Sequence, residues 1–168
     1  MAKKETELSV LKEIRDVLVT NSTLNIIVKG AKELKNITRF VDNGDGTIID
    51  KKTGLVWVKS PHTDLPDNFK KELTWKDAIQ ACKDLNFAGH KDWRLPTVEE
   101  LASLVDYSKR EPAIDTKVFP DTKSSWYWSS TPLAGNDGVA WYVYFYGGGV
   151  DDGYKSSRHY VRPVCSSQ

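Results

Sequence analysis

A stripe of tyrosines near the end of the chain is the feature whose residue types and spacing best fit a binding site. Alternate side chains of a β-strand point to opposite faces, so residues 141–146 predict an apolar face and a tyrosine face. The apolar set is Trp141, Val143 and Phe145, and the tyrosine set is Tyr142, Tyr144 and Tyr146. Tyrosine is a rigid, amphipathic residue that is enriched where proteins bind partners. The sequence therefore predicts a recognition surface, with a second packed sheet face as the alternative.

The residues that could carry catalysis or hold a transition metal form no recognisable pattern. His62, His90 and His159 show no ligand spacing with Cys82 or Cys165. No Cys/His pair and no paired carboxylates mark an obvious cleft. We therefore expect a protein that is not an enzyme and that has neither a metal site nor a cofactor.

Calcium is the alternative cofactor, because the chain contains acidic turns. The Asp-Gly turn fails as an EF-hand, since that register would begin at Val41 and end at Lys52. The pairs Asp151-Asp152 and Asn136-Asp137 are oxygen donors for a weak cation. Such loop carboxylates are more often simply solvated.

Composition argues against several classes of partner. The chain has 168 residues and a net charge of +1, from 24 basic and 23 acidic residues. No overall field attracts nucleic acid or an anionic membrane. No apolar run is typical of a signal peptide or long enough to cross a bilayer. We expect a cytoplasmic protein by default, or one that reaches a virion or surface by a signal-independent route.

The first 38 residues predict a helical extension. Apolar residues recur at helical intervals at Leu8, Leu11, Ile14, Leu18, Leu24, Ile27, Val28, Ala31 and Leu34. Two helices with a break at residues 21–23 fit best, although residues 26–28 could instead form a strand. Residues 8–37 could mediate formation of a homo-oligomer.

Residues 39–168 predict one α+β domain. Asn-Gly and Asp-Gly turns indicate a hairpin at residues 39–50, followed by a strand at residues 55–58. Thr74 caps one amphipathic helix, and Thr97 with Glu100 forms a capping box for a second helix of similar length. The expected strands after Ser124 cover residues 126–130, 139–146 and 160–164. Between the helices, Asp92 or Glu99 could pair with Arg94.

Five ordered motifs in this domain resemble a known family. They occupy residues 39–47, 53–57, 92–97, 128–131 and 160–164, and the third reads Asp-Trp-Arg-Leu-Pro-Thr. The set is similar to the C-terminal domain family of a bacterial collagen-like adhesin, the Lcl C-terminal-like domains. The resemblance implies a C-type-lectin-like fold that binds a ligand, with two helices packed on antiparallel strands.

The resemblance also divides the end of the chain into scaffold and displayed residues. The scaffold set is Trp128, Ser129, Ser130, Trp141, Val143, Phe145, Val161, Arg162 and Val164. The displayed, ligand-binding set is Tyr142, Tyr144, Tyr146, Asp151, Asp152, Tyr154, Ser156, Ser157, Arg158 and His159. In lectin-like domains of this kind a disulfide commonly ties the first helix to the last strand, which implies a bridge between Cys82 and Cys165.

The domain is also similar to the variable proteins of diversity-generating retroelements, whose C-terminal segment is rewritten at adenines. Tyrosine, aspartate, serine, histidine and arginine are all reachable from the asparagine codons that such a system changes, whereas Lys155 is not.

Three functions follow as hypotheses. The first is a receptor-like or adhesin-like module that presents residues 142–159 to a protein or cell-surface ligand. The second is a relative of the formylglycine-generating oxidases, and the third is a structural subunit of a virion or surface appendage that assembles through residues 8–37.

Overall fold

The computed structural model describes residue 9 and residues 11–20, 23–25 and 38–166. The chain separates into two compact units, residues 1–38 and residues 39–168. In the stretches just given, every helix is too short or too polar to span a bilayer.

In the first unit, residues 11–20 and 23–25 are helical, as predicted. The periodic apolar side chains on this helix are exposed: Leu11 is 63%, Ile14 51% and Leu18 62% exposed. Of the predicted break at residues 21–23, residues 21 and 22 lie outside the described residues and Thr23 is helical. The alternative strand at residues 26–28 also lies outside the described residues.

The second unit begins with a four-stranded antiparallel sheet in the order β1-β2-β3-β7. Its strands are β1 (Phe40–Asp42), β2 (Thr47–Asp50), β3 (Leu55–Val58) and β7 (Val164–Ser166). The predicted hairpin is confirmed, because β1 pairs with β2 and the Asn43 N–H donates to the carbonyl of Thr47 at 3.1 Å. The end of the chain thus pairs with the strand that follows this hairpin.

Three helices and a 3-10 turn follow β3 along the chain and precede the second sheet. They are α1 (Pro61–Asp64), the 3-10 turn Asp67–Lys70, α2 (Trp75–Lys83) and α3 (Val98–Ala102). Both predicted caps are confirmed: Thr74 accepts from the Asp77 N–H, and Thr97 with Glu100 forms the capping box. The predicted length of the second helix is wrong, since α3 has five residues and α2 has nine. The Ser103 hydroxyl donates to the Glu100 carbonyl at 2.7 Å as the chain leaves the helix.

A three-stranded antiparallel sheet follows, in the order β4-β5-β6. Its strands are β4 (Trp126–Leu133), β5 (Asn136–Tyr144) and β6 (Gly149–Tyr154). The strand expected at residues 160–164 is only partly confirmed, because Val164 begins β7 whereas residues 160–163 connect the two sheets. Tyr160 forms a single bridge to Tyr127 in the second sheet, and Val164 then pairs with Trp57 in the first.

The core consists of two clusters of buried side chains. One contains Val56, Trp93, Trp128, Val161 and Cys165, and the other contains Trp57, Leu101, Tyr127, Val143 and Phe145. Helices and antiparallel sheets share these clusters, so the domain is α+β as predicted.

Candidate functional site

The predicted strand at residues 139–146 ends earlier than expected, because β5 stops at Tyr144 and a turn carries Phe145 and Tyr146. This stretch buries only part of its predicted apolar face. Val143 and Phe145 are fully buried, as expected. The prediction is wrong for Trp141, which is half-buried. Val143 lies opposite Val150 of the edge strand β6, whereas Trp141 lies opposite Asp152. A polar neighbour on an edge strand does not provide apolar cover for the indole.

The three tyrosines are half-buried, and two of them, Tyr144 and Tyr146, belong to a row of stacked rings. The Tyr144 ring stacks on Trp126 at 5.0 Å and on Tyr146 at 5.6 Å, measured between ring centroids. The Arg110 guanidinium lies 4.8 Å from the centroid of the Tyr146 ring. The Tyr144 ring therefore packs against two other rings, and the Tyr146 ring packs against one ring and one cation. Both rings remain only partly accessible to a partner.

His159 connects this row to the core. Its ring centroid lies 4.2 Å from that of Trp128, 5.0 Å from Tyr142 and 5.9 Å from Trp126. Its backbone exchanges hydrogen bonds of 2.9 and 3.0 Å with Leu73. Burial lowers the pKa of His159, so the folded protein favours the neutral imidazole.

A pocket of about 470 Å³ opens beside His159. It is lined by Trp126, Asn136, Val139, Tyr142, Asp152, Gly153, Tyr154, Ser157 and His159. Five members of the predicted displayed set line this pocket: Tyr142, Asp152, Tyr154, Ser157 and His159. The other five, Tyr144, Tyr146, Asp151, Ser156 and Arg158, are not among the lining residues.

The sequence reasoning missed four lining residues, Trp126, Asn136, Val139 and Gly153. A signal was available for Trp126. Once β4 and β5 pair as a hairpin, Trp126 faces Tyr144 and Trp128 faces Tyr142, so both indoles share the face of the tyrosines. Because Trp126 is 41% exposed, it is an accessible wall of the pocket.

One carboxylate, that of Asp152, lines the pocket, and Asp151 precedes it on β6. The pKa of Tyr142 is raised by burial and then by the negative charges of Asp151 and Asp152. The neighbouring cations are directed elsewhere. Lys155 donates to the Asp137 carbonyl at 2.8 Å and lies 4.2 Å from the centroid of the Trp75 ring. Arg158 makes a 3.5 Å hydrogen bond to the Glu72 carbonyl.

Neither cysteine lines this pocket, and both are buried. The disulfide implied for Cys82 and Cys165 is not formed in the structure, because both thiols are free. The inference that no histidine accompanies a cysteine is wrong: ligand atoms of His90, Asp92 and Cys165 lie within 4.8 Å of one another. Sequence spacing could not reveal this cluster, since the pairing of Arg94 with Val164 creates it.

Comparison with models of known families identifies the family of the chain. The model of the Lcl C-terminal domain family matches residues 46–165. The chain belongs to the Lcl C-terminal domain family. The predicted resemblance to these adhesin-derived domains is therefore confirmed. The matched part of the Lcl C-terminal domain contains every residue that lines the pocket and all three residues of the His90 cluster. No curated protein shows significant similarity to the chain.

Proposed function

We propose that this Lcl C-terminal domain is a non-enzymatic, adhesin-like module that captures a protein or cell-surface ligand at the pocket beside His159. The observation that carries the proposal is the combination of exposed aromatic rings with carboxylates around one cavity. Trp126 is 41% and Tyr154 is 70% exposed. Apolar, aromatic walls with a few convergent polar groups are typical of binding sites.

The chemistry of the pocket favours a ligand that inserts a positive group. Aromatic faces attract ammonium and guanidinium groups, and a nearby carboxylate adds to that attraction. Asp152 lines the cavity, and the negative charge of Asp151, like that of Asp152, raises the pKa of Tyr142. A lysine or arginine side chain of a partner protein satisfies both conditions, and about 470 Å³ is ample for it.

Binding rather than catalysis is also supported by the state of the thiols. The formylglycine-generating relatives of this fold depend on reactive cysteines. Here burial raises the pKa of the Cys165 thiol to about 12, and burial also raises the pKa of Cys82. A thiol that stays protonated at neutral pH is a poor nucleophile.

We further propose a C-type-lectin-like fold and a diversified ligand-binding face, as in the variable proteins of diversity-generating retroelements. Two capped helices beside antiparallel sheets, and a last strand that returns to the first sheet, support the fold. Exposed residues on β6 and the loop after it support the replaceable face. The test is the DNA downstream of the gene. A near-copy of its last part that differs mainly at adenines supports diversification, and the absence of one leaves an ordinary adhesin-like domain.

Selection of a random peptide library on the immobilised chain tests the binding proposal. We expect selected peptides to be rich in lysine or arginine. Their affinity should fall at least about tenfold in Trp126→Ala and Tyr154→Ala, because aromatic residues in pockets dominate binding energy.

The matched control is Tyr107→Ala, because Tyr107 is a 77% exposed tyrosine that does not line the pocket. It should leave affinity unchanged. Peptides that bind Trp126→Ala and Tyr154→Ala as tightly as the original chain would contradict the proposal.

A structural or assembly subunit is the second candidate, and the helical residues 11–20 favour it. Leu11, Ile14 and Leu18 are all more than half exposed, which leaves apolar side chains available to a second copy of the chain. The mass in solution of the full chain and of residues 39–168 tests this idea. The idea is supported if the full chain associates and residues 39–168 do not. It is contradicted if both forms contain the same number of chains per particle.

A further inference from the structure

The turn at residues 90–94 meets β7 and brings three potential metal ligands together. The ligand atoms of His90, Asp92 and Cys165 lie within 4.8 Å of one another, and His90 Nδ1 is 3.8 Å from Asp92 Oδ1. Paired backbone hydrogen bonds hold both sides. Arg94 and Val164 exchange bonds of 2.9 and 3.0 Å, and Phe87 and His90 exchange bonds of 3.0 and 3.1 Å. The cluster is therefore fixed by main-chain contacts, which is what a preorganised site requires.

One polar group in this cluster lacks an ordinary partner. His90 Nδ1 is buried without a hydrogen-bond partner. The Cys165 side chain, which faces it in the cluster, is fully buried. Buried polar groups without partners are costly. A cation between the three side chains would supply a partner to each of them.

We propose that His90, Asp92 and Cys165 form a binding site for a zinc-class divalent metal ion. Imidazole nitrogen, carboxylate oxygen and thiolate sulfur are the three ligand types that zinc takes in proteins. Sulfur and nitrogen ligands disfavour calcium and magnesium, which prefer oxygen. The site thus differs from the calcium alternative that the acidic turns suggested.

The three ligand atoms need to move only slightly closer together to bind one zinc ion. Zinc–ligand distances of about 2.0 to 2.3 Å place tetrahedral ligand atoms roughly 3.3 to 3.8 Å apart. Side-chain rotation at Asp92 can close that difference, because this side chain is 51% exposed. The same exposure gives a metal ion a route from solvent and leaves a fourth position for water.

The charges around the cluster are compatible with a divalent cation. A bound divalent ion displaces the proton of the Cys165 thiol, and the resulting thiolate and the Asp92 carboxylate together balance the charge of the ion. Arg94 is the nearby cation, and the structure pairs it with Glu100 through two hydrogen bonds of 2.7 Å. The sequence expectation that Arg94 pairs with Asp92 or Glu99 is therefore wrong, and Asp92 remains available to a metal.

Titration of the reduced, metal-free full chain with Co²⁺ tests the proposal. A thiolate-to-cobalt charge-transfer band should develop and saturate at one equivalent, and Zn²⁺ should displace the cobalt. Competition with a chromogenic chelator then measures the zinc affinity. We expect Asp92→Asn and His90→Gln to lower that affinity at least about tenfold, and Cys165→Ser to abolish the charge-transfer band.

Two matched controls keep the test decisive. Cys82→Ala removes the other buried thiol and should retain the band, and Asp84→Asn removes an exposed carboxylate from outside the cluster and should retain the affinity. Asp92→Asn changes a half-exposed side chain, so its folding is not at risk from lost burial. Absence of the band in the original chain overturns the proposal, as does unchanged zinc affinity in Asp92→Asn.

Discussion

Two neighbouring stretches near the end of the chain place the same residue type in opposite environments. Arg158 is exposed and makes one hydrogen bond, 3.5 Å long, to the Glu72 carbonyl. Arg162, in the next few residues, is fully buried and donates to the carbonyls of Val58 and Lys59 and to Thr122, at 2.6 to 3.0 Å. We call residues 149–158 the displayed segment and residues 160–165 the closing segment.

The difference shows that the two segments contribute unequally to the stability of the domain. The closing segment connects the two sheets, so its side chains must fit both core clusters. The displayed segment forms the edge strand β6 and the loop after it, where Tyr154 is 70% exposed. Substitutions at such exposed positions cost little stability in general, so we expect the displayed segment to tolerate changes of sequence.

Replacement of Arg162 by alanine removes the main polar contacts of the closing segment, and of all the changes considered it should lower stability the most. The change deletes three hydrogen bonds and leaves the carboxylate of Asp121, 3.6 Å away and 9% exposed, without its cation. We expect the free energy of unfolding to fall by about 3 to 5 kcal/mol, measured by urea denaturation.

The matched control is Arg158→Ala, which should change the free energy of unfolding by less than about 0.5 kcal/mol. Equal losses in the two variants would show that the displayed segment is as firmly built into the fold as the closing segment.

A glycine pair sharpens the boundary of the displayed segment. Gly148 has φ of +81°, and a Cβ placed there would lie 2.5 Å from Val105 Cγ1 and 3.1 Å from Tyr107 Cε1. At Gly149 a Cβ would meet no atom within 4 Å. Thermal and urea unfolding should show a loss of about 1 to 3 kcal/mol for Gly148→Ala.

Gly149→Ala should stay within about 0.5 kcal/mol of the original chain. Equal stability of the two alanine variants would show that contacts with Val105 and Tyr107 do not fix the turn before β6. The displayed segment would then include Gly148.

Local signals in the sequence were sufficient for most of the scaffold. The caps at Thr74 and Thr97, and the glycine turn between β1 and β2, act over a few residues, so the sequence alone predicts the elements that they start. The five spaced motifs likewise predicted the family that the comparison confirms.

Features that depend on contacts between distant residues escaped prediction. The strand β6 has two glycines and two aspartates, which disfavour strands, and it forms because it pairs with β5 along its length. The same limit applies to Trp126, whose place in the pocket depends on strand register. Only the fold brings His90 beside Cys165.

The smallest effect that we predict concerns His159, which joins the displayed segment to the closing segment. Burial lowers its pKa in the folded chain, whereas the unfolded residue titrates near 6.5. Between these two pKa values the unfolded chain binds a proton that the folded chain does not, so stability is complete above about pH 6.5 and falls as the solution becomes more acidic. His159→Gln should therefore reduce, but not remove, the loss of stability between about pH 6.5 and pH 5, because burial lowers the pKa of His62 in the same direction. Urea unfolding at several pH values measures this loss. An unchanged pH dependence in His159→Gln would mean that folding does not lower the pKa of His159, and that its ring is as exposed to solvent as the displayed segment before it.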